Sequence, residues 1–225
     1  MQKRYLIGNW KSNMTIVDTQ KWFQDFSSDF LQHPLPNEMT IVLCVPFTVL
    51  SQAKELIQQN HLTIHLGAQD VSPFGRGPYT GEVSAEMIKE LATHVLIGHS
   101  ERRQYFSESD EERAFQVLNA KTAGLSIIYC VPDGSEQVPE SVDIVAYEPI
   151  DAIGTGKPED PEKVIEICRK ISERTHRATL YGGSITDDTT GEYVKSPDVG
   201  GLLVGGASLD PEMFFRIAKT IASTL

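Results

Sequence analysis

Eight short apolar segments recur along this chain of 225 residues, and this repetition limits the fold more than any other feature of the sequence. The segments are nearly continuous in apolar residues rather than alternating, which is typical of strands buried on both faces of a parallel sheet. Each segment ends in glycine, proline or polar residues. The segments begin at Arg4, Thr40, Leu62, His94, Leu125, Val142, Ala178 and Gly200.

Most of the intervals between these segments carry helix signals. Apolar residues recur at helical spacing from Val17 to Phe30, and Ser84 is placed to cap a helix that runs through Leu91. Asp-Pro pairs at 160–161 and 210–211 predict two further helix starts, because proline is tolerated in a first helical turn. Alternation of strand and helix eight times in one chain predicts an α/β protein, a (β/α)₈ barrel.

The interval before the fifth segment predicts one more helix boundary. Ser107 with Asp110 resembles a capping box, in which each residue satisfies a backbone donor of the other. The helix that it opens runs towards Ala123, and Gly124 is a suitable stop.

A doubly wound open sheet is the main alternative fold. That fold usually places a GxGxxG motif after its first strand, whereas the first segment here is followed by Gly8-Asn9-Trp10-Lys11. The chain shows no linker and no shift in composition. We therefore predict a single domain over residues 1–225.

The interval between the fifth and sixth segments is abnormal. It holds ten residues, PDGSEQVPES, where a crossover with a helix needs at least about 10–12 residues and usually more. Pro132, Gly134 and Pro139 also oppose a regular helix. We therefore expect a barrel without its fifth outer helix.

Charge and cysteine content exclude several classes of protein. The formal net charge of −11 argues against a general binder of nucleic acids or anionic membranes, so an anionic ligand would need a local pocket of cations or N–H groups. The three cysteines form no zinc or disulfide pattern, and Cys44 and Cys130 are expected in the core because they lie within apolar runs. No segment is long enough to span a membrane, and we expect a cytoplasmic protein.

Polar residues cluster at the ends of the predicted strands, which in such a barrel meet around one crevice. Taken alone, Glu148 fits a salt bridge at the barrel rim, His99 a structural histidine and Lys11 a solvated lysine. Their joint occurrence at one rim favours an active site. The residues collected there are Asn9, Lys11, Gln69, His99, Ser100, Glu101, Glu148, Ser184, Gly205 and Gly206.

This set of groups suits proton transfer beside a carbonyl. A carboxylate such as Glu148 removes the proton, a neutral imidazole such as His99 donates to the developing enediolate oxygen, and Lys11 stabilises the negative charge. The turns at Gly154, Ser184 and Gly205-Gly206 offer backbone N–H groups to a phosphate.

The motifs that carry these residues closely resemble those of the triosephosphate isomerase family, and they span nearly the whole chain in family order. They are GNWK (8–11), QDVSPFGRGPYTGEVS (69–84), GHSERR (98–103), AYEP with AIGTGK (146–157), YGGS (181–184) and LVGGASL (203–209). The resemblance implies a TIM barrel that interconverts glyceraldehyde 3-phosphate and dihydroxyacetone phosphate in glycolysis and gluconeogenesis. It also implies a homodimer formed through the loop from Gln69 to Ser84, with no cofactor and no metal.

The resemblance also implies a role for each site residue. Glu148 corresponds to the catalytic base, His99 to the neutral electrophile, and Lys11 with Asn9 to the substrate-binding pair. Gly154, Ser184, Gly205 and Gly206 correspond to phosphate-binding donors, and Glu101 and Ser100 to supporting residues. Thr80 corresponds to the threonine that reaches the site of the partner subunit.

The sequence predicts that the loop after Glu148, centred on Ile153-Gly154-Thr155-Gly156, is a flexible lid over the base. The chain departs from the family pattern at the hinges of this lid and after the fifth strand. Asp151 stands where the family usually has tryptophan, and Pro132-Asp133 where it usually has Gly-Glu. Pro158 stiffens the other hinge of the lid. An alternative to an active isomerase is therefore a barrel that binds a phosphate ligand or acts as a scaffold, with catalysis impaired by the altered hinges. A different phosphosugar enzyme is a third possibility.

Overall fold

Eight parallel strands close into a barrel in which each strand pairs with the next and β8 pairs with β1. The computed structural model describes residues 3–149 and 158–225. The strands are β1 Arg4–Asn9, β2 Met39–Val45, β3 His65–Ala68, β4 His94–Ile97, β5 Ser126–Val131, β6 Ile144–Tyr147, β7 Ala178–Tyr181 and β8 Gly201–Val204. Each apolar segment of the sequence overlaps one strand, so the predicted (β/α)₈ TIM barrel is confirmed.

Successive residues of a strand contribute to two different apolar clusters. One cluster contains strand residues such as Ile7, Leu96 and Leu180, and it fills the barrel interior. The other combines neighbouring strand residues such as Leu6 with residues of the helices. This period of two explains why the strands read as continuous apolar runs, since both faces of the sheet are buried.

The described residues contain eight α-helices outside the barrel. They are α1 Ile16–Gln32, α2 Phe47–Gln59, α3 Ala85–Lys89, α4 Ser100–Phe106, α5 Asp110–Thr122, α6 Pro161–Thr175, α7 Asp187–Val194 and α8 Pro211–Ala222. The predicted Asp-Pro starts of α6 and α8 are confirmed, and in both helices the Asp side chain accepts from backbone N–H groups of the first turn. Helix α3 begins after Ser84 as predicted, but it ends at Lys89, before Leu91, and the Ser84 side chain makes no cap hydrogen bond.

The predicted capping box at Ser107 and Asp110 is wrong. Ser107 is the left-handed C-cap of α4, with φ of 55°, a short helix that the sequence did not predict. The box lies two residues further on, where Ser109 accepts from the backbone N–H of Glu112 and the Glu112 carboxylate accepts from that of Ser109.

Residues 132–143, between β5 and β6, are all described and form no helix, as the sequence predicted. The Asp133 carboxylate accepts from the backbone N–H groups of Ser135 and Glu136, which fixes a turn. Arg174 and Arg177 donate to backbone carbonyls of the segment. Side-chain hydrogen bonds therefore hold in place a segment that lacks the ladder of a helix.

The three cysteines are buried free thiols, in agreement with the core positions expected for Cys44 and Cys130. Among the described residues, no helix has the length and apolar character needed to cross a membrane.

Candidate active site

A cavity of about 290 Å³ opens at the carboxyl ends of the strands. Of the predicted site residues, its walls contain Asn9, Lys11, His99, Glu148, Ser184, Gly205 and Gly206. The walls also contain Gly182, Gly183, Ile185, Thr186, Leu203 and Ala207, which the sequence did not assign to the site. The convergence expected from a shared barrel rim is therefore present in the structure.

Glu148 follows β6 directly and is nearly inaccessible to solvent, with 4% of its surface exposed. Its backbone N–H donates to the carbonyl of Val131 at 2.8 Å, which fixes where the side chain leaves the strand. Its Oε1 lies 3.2 Å from His99 Nε2, and its Oε2 accepts from the backbone N–H of Ser100 at 3.3 Å. These contacts hold the carboxylate in a water-poor site and aim it at the cavity.

His99 is the N-cap of α4, and its ring is oriented by that helix. Nδ1 accepts from the backbone N–H of Glu101 at 3.2 Å, so in a neutral imidazole the proton sits on Nε2. Nε2 is the atom that faces Glu148 and the cavity. The ring is therefore set up as a hydrogen-bond donor to an oxygen bound beside the carboxylate.

Lys11 adopts a left-handed backbone conformation, with φ of 51°, which is costly for a residue with a side chain. Its backbone N–H donates to Asn9 Oδ1 at 3.0 Å, and its carbonyl accepts from Gln69 Nε2 at 3.0 Å. Its ammonium lies 2.6 Å from Glu101 Oε1. Strain at Lys11 is thus balanced by local hydrogen bonds that place one cation at the cavity.

The ends of β7 and β8 form the N–H-rich side of the cavity. Ser184 follows the Gly182-Gly183 turn, and Gly206 begins a short 3₁₀ helix, Gly206–Ser208. Space around Gly206 is open, since among the described residues no heavy atom outside its own stretch of backbone lies within 4 Å of where a Cβ would lie. Backbone donors at such turns suit a phosphate group.

Three further predicted site residues, Ser100, Glu101 and Thr80, are not among the residues that line this cavity. Glu101 is placed behind Lys11, and the Ser100 hydroxyl is buried without a hydrogen-bond partner among the described residues. Thr80 lies exposed in the loop of residues 69–84, away from the cavity of its own chain. Gly154 and Asp151 lie outside the described residues.

Gly182 is a site residue whose role the sequence did not reveal. A Cβ at this position would lie 2.9 Å from Glu148 Cγ, closer than real Cβ atoms approach another carbon. The glycine pair after β7 reads as an ordinary tight turn in the sequence, and only the fold shows that it lies against the carboxylate.

The fold and the site together define a (β/α)₈-barrel enzyme whose groups suit proton transfer beside the carbonyl of an anionic ligand. A model of the triosephosphate isomerase family matches residues 4–221 of the chain. Triosephosphate isomerase of Synechocystis sp. is 38% identical over 97% of this chain and 99% of its own length. The protein of that name from Aquifex aeolicus is 35% identical over 96% of this chain and 98% of its own length.

A solved structure gives the same result. The crystal structure of triosephosphate isomerase from Bartonella henselae matches with a TM-score of 0.81 and 29% identity, covering 97% of this chain and 98% of that one. The chain belongs to the triosephosphate isomerase family, which confirms the resemblance carried by its motifs.

Proposed function

We propose that this protein interconverts glyceraldehyde 3-phosphate and dihydroxyacetone phosphate through an enediolate, as a step of glycolysis and gluconeogenesis. One observation carries the proposal: in a chain of this family, the buried Glu148 carboxylate lies 3.2 Å from His99 Nε2 in a cavity that also holds Lys11. The scaffold alternative is not favoured, because this arrangement is intact despite the altered sequence around the lid.

The roles of the residues follow from their contacts. Glu148 removes the proton from the carbon next to the carbonyl and returns it to the neighbouring carbon. His99 donates a proton from Nε2 to the oxygen that gains charge and takes one back from the neighbouring hydroxyl, whose oxygen becomes the new carbonyl. The Lys11 ammonium stabilises the negative charge of the intermediate. No cofactor is needed for this step, since the carbon-bound proton moves through the Glu148 carboxylate and the hydroxyl proton through the His99 imidazole.

Substrate binding is assigned to the other walls of the cavity. Asn9 supports the backbone of Lys11, while Ser184, Gly205 and Gly206 present the phosphate site. Gly154 is assigned to the same phosphate site from the family motif alone. Glu101 holds the Lys11 ammonium, and Ser100 supports Glu148 through its backbone N–H.

We further propose a cytoplasmic homodimer. The support is an exposed apolar surface on the loop of residues 69–84, where Phe74 and Tyr79 stack with ring centroids 4.4 Å apart. Thr80 is the next residue of this loop, and in the proposed dimer it contacts the partner subunit near its active site.

A coupled assay with glyceraldehyde 3-phosphate tests the activity. We expect turnover in the wild type and a loss of about 10²–10⁴-fold in kcat for Glu148→Gln, since the amide cannot accept the proton. Glu173→Gln, at an exposed position of α6, is the matched control and should retain wild-type turnover. Wild-type turnover no higher than that of Glu148→Gln would remove the proposed function.

A further inference from the structure

The side chain of Arg103 connects the ends of two neighbouring barrel strands. It leaves α4 and donates from Nε to the carbonyl of Gly98 at 2.6 Å, and from Nη2 to the carbonyl of Cys130. Gly98 follows β4, and Cys130 is the penultimate residue of β5. One planar guanidinium group thus fixes the spacing between these two strand ends.

These strand ends carry the groups that face each other in the active site. Gly98 is bonded directly to His99, and Val131, next to Cys130, accepts the backbone N–H of Glu148 at 2.8 Å. A change in the position of Arg103 therefore reaches both the imidazole and the carboxylate. The approach is close, because a Cβ at Gly98 would lie 2.9 Å from Arg103 Nη2.

Glu136 engages the remaining donors of Arg103. Its Oε2 lies 2.7 Å from Nη1 and its Oε1 lies 3.0 Å from Nη2, which is a bidentate pair. The Tyr129 hydroxyl also donates to Oε1 at 3.3 Å and in turn accepts from Arg113 Nε. With four-fifths of each side chain of the pair buried, the carboxylate orients the guanidinium and balances its charge.

Glu136 belongs to the helix-free segment of residues 132–143. Arg174, near the end of α6, donates to the backbone carbonyls of Ser135 at 3.2 Å and Glu136 at 2.7 Å. The Asp133 carboxylate accepts hydrogen bonds from the backbone N–H groups of the same two residues. The backbone of Glu136 is therefore fixed at the place from which its carboxylate reaches Arg103.

We infer that Glu136 is a positioning residue for the reaction, acting through Arg103 on the distance and orientation between His99 and Glu148. The inference rests on the proposed isomerase function and deepens it. The segment that replaces the fifth outer helix would then supply a part that the catalytic geometry needs, in addition to covering the barrel.

Steady-state kinetics of Glu136→Gln test this inference, with Glu136→Asp as the conservative variant. A displacement of about 1 Å in a catalytic pair costs up to about 100-fold in rate, so we expect kcat to fall at least about tenfold in Glu136→Gln. KM should change by less than about threefold, because the phosphate site lies at the far strands β7 and β8. Glu136→Asp keeps the charge and should recover part of the lost kcat.

Glu140→Gln is the matched control, since Glu140 is an exposed glutamate of the same segment. It should keep the wild-type kcat. Circular dichroism and the melting temperature, measured for each variant, establish that the protein assayed is folded. Should Glu136→Gln not fold, a lowered kcat with unchanged KM in folded Glu136→Asp supports the inference by itself.

A kcat of folded Glu136→Gln equal to that of Glu140→Gln would overturn the inference, even if the melting temperature fell. The same holds for folded Glu136→Asp if Glu136→Gln does not fold and the kcat of Glu136→Asp equals that of Glu140→Gln. Failure of the proposed function gives a different result, in which the wild type itself turns over no faster than Glu148→Gln. The two hypotheses are therefore tested by different comparisons in one set of assays.

Discussion

At the scale of single residues, the position of the Glu148 carboxylate, the proposed base, depends on a neighbouring glycine. Gly182 lies against Glu148 Cγ, and a Cβ added to this glycine would also lie 3.5 Å from Leu203 Cβ, so an added methyl group has nowhere to go without moving the carboxylate. The carboxylate in turn is held by His99 and by the backbone of Ser100. Steric contact with Gly182, as much as hydrogen bonding, therefore fixes the position of the proposed base.

We predict that Gly182→Ala lowers kcat by about 10–100-fold, because the displaced carboxylate no longer lies at the reacting distance. Gly191→Ala in α7 is the control, as the nearest heavy atom outside the backbone of that helix is 4.0 Å from the added Cβ. This control should keep its kcat and gain about 0.5–1 kcal/mol of stability, since alanine favours a helix over glycine. Equal kcat values for the two variants would contradict the steric argument.

A second residue, His94, lies at the opposite end of the barrel and is expected to affect how stability depends on pH. His94 is the first residue of β4 and is buried. Burial, followed by the nearby His65 ring and Lys89, lowers its pKa to about 4, while Asp143 acts in the opposite direction. The folded protein therefore binds a proton at this site less tightly than the unfolded chain, whose histidine has a pKa near 6.5.

This difference in pKa between the folded and unfolded chain sets the direction in which stability changes with pH. The contribution of His94 to stability is fully present above about pH 6.5 and is lost as the pH falls towards about 4. We expect urea unfolding at fixed protein concentration to show a loss of about 1–3 kcal/mol from this residue between those values. His94→Gln should reduce the pH dependence of the unfolding free energy by that amount. An unchanged pH dependence in His94→Gln would be inconsistent with the buried neutral ring.

At the scale of secondary-structure elements, the features that could be predicted from the sequence are those that depend on a local pattern of residues. Continuous apolar runs located all eight strands, and the prolines of residues 132–143 correctly predicted a crossover without a helix. The capping box was placed two residues early, because Ser107 and Ser109 are both serines with an acid three residues on. The choice between them is made by α4, whose last turn needs a left-handed residue at Ser107.

Side-chain contacts between secondary-structure elements could not be predicted from the sequence. The rule that strand ends meet at one rim was sufficient to collect Asn9, His99 and Glu148 into one site. The hydrogen bond from Gln69 to the Lys11 carbonyl and the pair of Arg103 with Glu136 join residues whose side-chain directions depend on packing. A sequence contains their types and order, while the distances between them are set only when the barrel closes.

At the scale of the whole molecule, the loop of residues 69–84 presents a surface that a monomer would leave in water. Phe74 and Tyr79 are 46% and 41% exposed and stack on each other, so they form a preassembled apolar contact. Each chain carries a formal charge of −11, and two copies repel one another over long range. Association of two chains must therefore be driven by burial of such apolar area rather than by overall charge.

Sedimentation at micromolar concentration tests this argument. The wild type should sediment as a particle of twice the 25.0 kDa chain mass. Tyr79→Asp should weaken the dimer at least about tenfold, because it removes the ring that stacks on Phe74 and places a charge in the proposed interface. Leu31→Asp is the matched control, since Leu31 is 58% exposed on α1, a helix that packs against α2 and α8, and it should leave the dimer unchanged. A wild type that stays monomeric, or equal weakening by both variants, would contradict the interface assigned to this loop and the role given to Thr80.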